Sequence, residues 1–166
     1  MAPRVVLVGP MGAGKTTVAG LLAQAWGVAV RDTDADIETT TGREISDIFV
    51  ESGEDVFREL EVAAVATALA EHDGVLALGG GAVLRPETRA LLADVPVVFL
   101  RVGLSDAVKR VGLGVGRPLL LGNVRSRIKA LLDERTPVYE SVATHVVETD
   151  DRTPEEVADE IRGLLP

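Results

Sequence analysis

The chain has no cysteine among its 166 residues, which excludes disulfides and thiolate metal sites. It has no apolar run near the roughly 20 residues of a membrane-spanning helix, so no membrane partner is expected. It also lacks an excess of positive charge. Lys and Arg number 17 against 26 Asp and Glu, a formal net charge of −9. Without an overall basic footprint, no nucleic-acid partner is expected, although a local basic site remains open. His72 and His145 are far apart in sequence and read as incidental. The only asparagine, Asn123, is followed by Val124, so the Asn-Lys-x-Asp motif of a guanine-nucleotide switch is missing. Internal repeats, linkers and low-complexity stretches are absent. The N-terminus runs almost at once into an apolar segment, so no signal peptide is expected. A cytoplasmic monomer is expected.

What is present suits a soluble globular domain: 46% hydrophobic and 26% charged residues are ordinary proportions. The length fits a single domain, residues 1–166, with a sizeable core.

The most informative stretch is Gly9-Pro10-Met11-Gly12-Ala13-Gly14-Lys15-Thr16, which fits G-x-x-x-x-G-K-[ST] at every fixed position. Val5-Val6-Leu7-Val8 before it reads as a buried strand. After it, Val18, Leu21, Leu22, Ala25 and Trp26 recur at helical spacing, with Trp26 expected in the core. In a strand–turn–helix, such glycines let backbone N–H groups converge on an anion. The helix N-terminus adds unpaired donors and its positive dipole end. Lys15 reaches the outer phosphates and the Thr16 hydroxyl ligates Mg²⁺. Gly12, Ala13, Gly14, Lys15, Thr16 and Thr17 are therefore assigned to a nucleoside triphosphate, with Mg²⁺ accompanying it.

Val28-Ala29-Val30 reads as a second strand, followed by Arg31-Asp32-Thr33-Asp34. The carboxyl ends of strands are where open α/β sheets bind ligands. In an extended backbone Asp32 and Asp34 would face the same side, one for the metal shell and one for an acceptor hydroxyl. The competing reading makes Asp34 the cap of the next helix. Helices are expected over 35–41, 44–50 and 54–71. The last carries an apolar stripe of Val56, Leu60, Ala63 or Ala64, and Thr67. Arg58 and Glu61 are neighbours on its surface. Spacing leaves two readings, an ordinary ion pair or Glu61 orienting Arg58 toward an anionic substrate.

Gly74 to Leu78 is a third strand, running into Gly79-Gly80-Gly81. Three glycines mark a close approach of ligand or backbone. No Asp ends this strand, so Asp32 is the better candidate for the acidic magnesium residue. A helix over 86–92, a strand over 96–100 and a helix over 104–111 follow. Residues 111–123 then read as a mobile lid. Its alternating glycines and leucines would close over the site and exclude water, bringing Arg117 to the phosphates. Val124, Ile128, Leu131 and Leu132 define a helix over 123–134 with Arg135 at its end, before Thr136-Pro137. A weaker strand covers 144–147. Thr153, Pro154 and Glu156 form a capping box for a last helix packed through Val157, Ile161 and Leu164.

Taken together, these residues resemble the shikimate kinases. The resemblance rests on the P-loop, Asp32-Thr33-Asp34, Phe57-Arg58-Glu59-Leu60-Glu61 and Gly79-Gly80-Gly81-Ala82. Arg117-Pro118-Leu119-Leu120, Arg135 ahead of Pro137 and Tyr139, and Arg152-Thr153-Pro154 follow in the same order. It implies a three-layer α/β P-loop fold, with a five-stranded parallel sheet flanked by helices. It implies transfer of the γ-phosphate of MgATP to the 3-hydroxyl of shikimate. By the same resemblance, Asp34 meets the shikimate hydroxyls and assists the attacking one. Arg58, held by Glu61, and Arg135 clamp the carboxylate, and Gly79, Gly80 and Gly81 line the ring, Gly80 through its backbone. The substrate-binding region spans about 32–61. Lys15 and Arg117 steady the transferring phosphate, Asp32 reaches Mg²⁺ through water, and Arg110, Arg152 and Pro154 surround the adenine. The alternatives are a P-loop kinase of another hydroxylated acid, such as gluconate, and a non-catalytic nucleotide-binding regulator.

Overall fold

In the computed structural model, which describes residues 2–115 and 121–166, strand β1 (Val5–Val8) is buried at all four positions. Its side chains alternate between two cores, as a strand's period of two requires. Val5 and Leu7 pack with Leu22, Val98, Leu100, Val157 and Ile161 on one face. Val6 and Val8 pack with Val65, Leu76, Phe99 and Tyr139 on the other. Burial on both faces explains why the strand reads as an unbroken apolar run.

The remaining strands are β2 (Val30–Asp32), β3 (Val75–Ala77), β4 (Val97–Arg101) and β5 (His145–Glu148). All pair in parallel in the order β2-β3-β1-β4-β5. Parallel pairing brings every strand's carboxyl end to one edge. The P-loop, the Asp32 turn and Gly79–Gly81 leave from that edge.

The helices are α1 (Lys15–Trp26), α2 (Thr33–Thr41), α3 (Ile45–Ser52), α4 (Glu54–Glu71), α5 (Pro86–Leu91), α6 (Leu104–Val115), α7 (Leu121–Val142) and α8 (Pro154–Leu164). The Thr153–Glu156 capping box is present in both directions. Gly42 takes a left-handed φ of 67° to close α2. Ile37, Ile48 and Phe57 form a third, smaller core under α2–α4.

Several expectations are corrected. The second strand, β2, covers Val30–Asp32 and not 28–30, and as an edge strand it leaves Val30 exposed. Asp34 is helical rather than extended, because α2 starts at Thr33. The buried face of α4 is Phe57, Arg58, Glu61, Val65 and Ala68, whereas Val56 is exposed. An apolar count misses this face because two of its members are charged. Helix α6 continues to Val115, past the expected end at Val111. Helix α7 does not stop at Arg135. It runs through Pro137 to Val142, although an interior proline costs about 3 kcal/mol. Burial of Tyr139 against the Phe99 ring, 5.0 Å between centroids, offsets that cost. Leu164 is exposed, and Ala158 is the third buried residue of α8. Trp26 is only half-buried, with the Arg4 guanidinium 4.2 Å above its ring.

Candidate active site

The glycines of the P-loop bend as their sequence requires. Gly12 and Gly14 adopt φ of 83° and 89°, and Gly14 is the N-cap of α1. Side chains rarely adopt that region. Lys15 folds back over the loop, with Nζ donating to the carbonyls of Gly9 at 2.5 Å and Pro10 at 3.0 Å. Burial lowers its pKa to about 8, opposed by the nearby charges of Asp34 and Asp32. Met11, Gly12, Gly14, Lys15, Thr16 and Thr17 line one cavity with Asp32, Asp34, Gly79 and Gly80. Its polar floor and helix N-terminus suit a phosphate chain.

Thr16 and Asp32 lie on that same wall. Among the described residues, no three His, Cys, Asp or Glu side chains cluster as a metal cage. Mg²⁺ is normally held by one or two protein groups, with phosphate oxygens and water completing its octahedron. One hydroxyl and one carboxylate beside the phosphate cradle fit that habit.

Asp32 and Asp34 divide the roles that the sequence left open. Asp32 is the cap of α2: its Oδ1 accepts from the backbone N–H of Asp34 at 2.8 Å and of Ala35 at 3.4 Å. Asp34 is thereby freed from capping and lines both this cavity and a second one. Burial, and then the Asp32 charge, raise its pKa above the usual carboxylate value, while Lys15 opposes the rise.

The second cavity, of about 270 Å³, is lined by Asp34, Phe49, Phe57, Arg58, Glu61, the three glycines and Arg135, among others. Arg58 and Glu61 are not a surface pair. They are joined by Nη1 to Oε1 at 2.7 Å, with side chains 10% and 2% exposed. Glu54 holds the Arg58 Nε at 3.2 Å. Burial pushes the Glu61 carboxyl up, against the Arg58 hydrogen bond. Such a pair fixes the direction of the guanidinium at a desolvation cost.

The glycine turn fits around these side chains. A Cβ on Gly81 would lie 2.5 Å from both Nη atoms of Arg58. One on Gly79 would lie 2.6 Å from Asp34 Oδ1 and 3.0 Å from Glu61 Oε2. Gly80 is different, with nothing nearer than 3.7 Å. Arg135 approaches the turn from α7, and its buried Nε has no hydrogen-bond partner among the described residues. A buried guanidinium donor without a partner is costly. Two guanidiniums converging on one glycine turn form a ready receptor for a carboxylate.

A third cavity touches Gly12, Ala13, Gly14, Thr17, Arg110, Thr149, Arg152 and Pro154. Arg110 braces the P-loop, donating to Gly12 O at 2.9 Å and to Thr149 Oγ1 and O at 3.2 and 3.0 Å. Arg152 is tied to its own surroundings, to Glu160 Oε1 at 2.7 Å and Glu148 O at 2.8 Å. Arg117, and with it the central part of the expected 111–123 lid, lies outside the described residues.

Two supporting residues received no role from the sequence. Thr33 is fully buried, and its Oγ1 accepts from Gly79 N at 3.4 Å. Tyr139, also fully buried, donates its hydroxyl to Gly80 O at 2.5 Å. The signal available was that Tyr139 is the chain's only tyrosine, four residues after Arg135 and so on the same helix face.

Comparison with known proteins gives concordant results. A family model described as shikimate kinase matches residues 11–165. A shikimate kinase from Salinispora tropica is 60% identical over 166 residues, covering 100% of this chain and 99% of the relative. One from Thermobifida fusca is 58% identical, covering 99% of this chain and 95% of the relative. The crystallised shikimate kinase of Acinetobacter baumannii in complex with shikimate superposes with a TM-score of 0.90 at 36% identity, covering 99% of this chain and 93% of that one.

Proposed function

This chain belongs to the shikimate kinase family, and on that premise we propose how its residues divide the reaction. The chain is an ATP-dependent phosphotransferase, moving the γ-phosphoryl of MgATP to the 3-hydroxyl of shikimate to give shikimate 3-phosphate and ADP. The observation that carries the substrate assignment is the pair of guanidiniums, Arg58 and Arg135, converging on the Gly79–Gly81 turn with Asp34 on the wall shared with the phosphate cavity. That arrangement answers a carboxylate at one end of a small molecule and a hydroxyl at the other.

In this reading the P-loop N–H groups and the α1 N-terminus hold the triphosphate. Lys15 leaves its two carbonyls to meet the outer phosphates, and Arg117 joins it on the transferring group. Mg²⁺, when bound beside Thr16 and through water beside Asp32, supplies neutralising charge at the phosphates. Arg110, Arg152 and Pro154 border the adenine. Arg58, oriented by Glu61, and Arg135 grip the shikimate carboxylate. Asp34 aligns the 3-hydroxyl and accepts its proton as the oxygen bonds to the γ-phosphorus and the bond to the β-phosphate oxygen breaks. Most of the catalysis is positioning and charge neutralisation. The enzyme works as a cytoplasmic monomer on two small molecules.

The test is ADP release with MgATP and, separately, shikimate, gluconate and nucleoside monophosphates. Release with shikimate alone is expected. Release with gluconate or a nucleotide instead would keep the phosphate site and overturn the acid assignment. No release with any of them would favour a nucleotide-binding regulator.

A further inference from the structure

We propose that Tyr139 is a positioning residue: its hydroxyl fixes the Gly80–Gly81 peptide so that the Gly81 N–H stands as a donor beside the two arginines of the acid-binding cavity. The inference rests on the reading of that cavity as the shikimate site.

Three observations carry it. First, Tyr139 Oη donates to Gly80 O at 2.5 Å from a side chain that is fully buried and packed on Phe99. That carbonyl is thus held toward the core. In a trans peptide the C=O and the following N–H point in opposite directions, so the Gly81 N–H is turned away from the core, toward the side that the glycines present to the cavity. Second, Gly81 is buried, yet its N–H donates in none of the hydrogen bonds among the described residues. A buried backbone donor normally finds a partner. Third, the position of Gly81 is dictated by what it touches: both Nη atoms of Arg58 lie 2.5 Å from where a Cβ would be, too close for a side chain. The N–H therefore sits within the reach of the same anion as Arg58. The orphaned Nε of Arg135 comes from the same helix face as Tyr139, four residues earlier.

A glycine turn has little rotational preference of its own. Without an anchor, the Gly80–Gly81 peptide can flip and present a carbonyl to the carboxylate, which is repulsive. The phenol prevents this. Burial raises the Tyr139 pKa above its ordinary value, so the group remains a protonated donor well into the alkaline range.

The experiment is Tyr139→Phe, which keeps the ring against Phe99 and removes only the hydroxyl, measured with Phe99→Leu as a packing control. The expected result is selective. KM for shikimate rises by about five- to tenfold, the size of one net hydrogen bond, and calorimetric shikimate affinity falls in parallel. KM for MgATP stays near the wild-type value, because Gly81 lines the acid cavity and not the phosphate cavity. Phe99→Leu lowers Tm without that selectivity. Wild-type shikimate affinity in Tyr139→Phe overturns the inference and leaves the function intact, as does an equal rise in both KM values accompanying a fall in Tm. Absence of shikimate binding by the wild-type enzyme overturns the functional reading and this inference together.

Discussion

Asp32 accepts the backbone N–H of Asp34 through a single carboxylate oxygen, Oδ1, at 2.8 Å. The first acid of the pair closes the helix N-terminus, which an Asp at that position does well, and the second is left facing both cavities. The two carboxylates are therefore not interchangeable.

Asp34→Asn is expected to lower kcat by about 10² to 10⁴, the usual range for a general base, with MgATP affinity near the wild-type value. Steady-state kinetics with nucleotide-binding calorimetry checks this, and wild-type turnover would remove Asp34 from the chemistry. Because burial raises its pKa above 3.8, kcat/KM should fall as pH drops through that raised value.

Removing the charge of Glu61 strands Arg58. Glu61→Gln leaves a guanidinium in a site where its side chain is only 10% exposed, held by Glu54 alone. Breaking a buried pair from one side costs about 3–5 kcal/mol, and the remaining Glu54 contact argues for the lower end. A fall in Tm of about 6–12 °C is expected, together with a higher KM for shikimate. An unchanged melting curve would return the pair to the status of a surface contact.

The glycine turn makes a contrast between neighbours. In Gly81→Ala the methyl must displace the Arg58 guanidinium, so shikimate binding should weaken at least tenfold, as expected for a lost charge-assisted hydrogen bond, about 1.5–3 kcal/mol. In Gly80→Ala the methyl meets only ordinary van der Waals contacts within the protein, so Tm should stay near the wild-type value, whereas Gly81→Ala should lower it by crowding the buried Arg58–Glu61 pair. Melting curves of both variants with titration calorimetry of Gly81→Ala decide; equal losses of Tm, or wild-type shikimate affinity in Gly81→Ala, would show that the steric contrast is wrong.

Lys15 couples activity and stability in opposite directions. Its folded pKa of about 8 lies below its ordinary 10.5. Between those values the unfolded chain holds the proton that the folded one has released, so stability contributed by this residue rises with pH across that window. Over the same window the phosphate site loses the charge of Lys15, and kcat/KM for MgATP should fall above about pH 8. Lys15→Met should abolish the stability rise. Denaturant midpoints and kinetics across pH 7.5–10.5 measure both trends.

The P-loop was legible because its chemistry is local: glycine φ angles, an anion nest and a helix N-terminus occupy eight consecutive residues. The five-stranded sheet was legible because doubly covered strands read as plain apolar runs, although β2, an edge strand, began two residues later than its apolar run. Arg58 and Glu61 resisted reading from spacing, since i and i+3 describe a surface pair and a buried pair equally well. Only the third core around Phe57 and the overlying glycine turn decide between them. The extent of α7 was hidden by Pro137. A proline is a local stop signal, and the tertiary packing of Tyr139 that outweighs it involves Phe99, far away in sequence.

The common wall of the two cavities has a thermodynamic consequence. Met11, Asp34, Gly79 and Gly80 face both spaces, so filling one changes the walls and field of the other. Linkage then requires symmetry: whatever factor bound nucleotide applies to the affinity for the acid, bound acid applies to the nucleotide. Each ligand has one dissociation constant with the other site empty and one with it filled, so the four constants contain only three independent quantities, and a substitution on the shared wall alters the coupling between substrates even where it leaves each binary affinity alone.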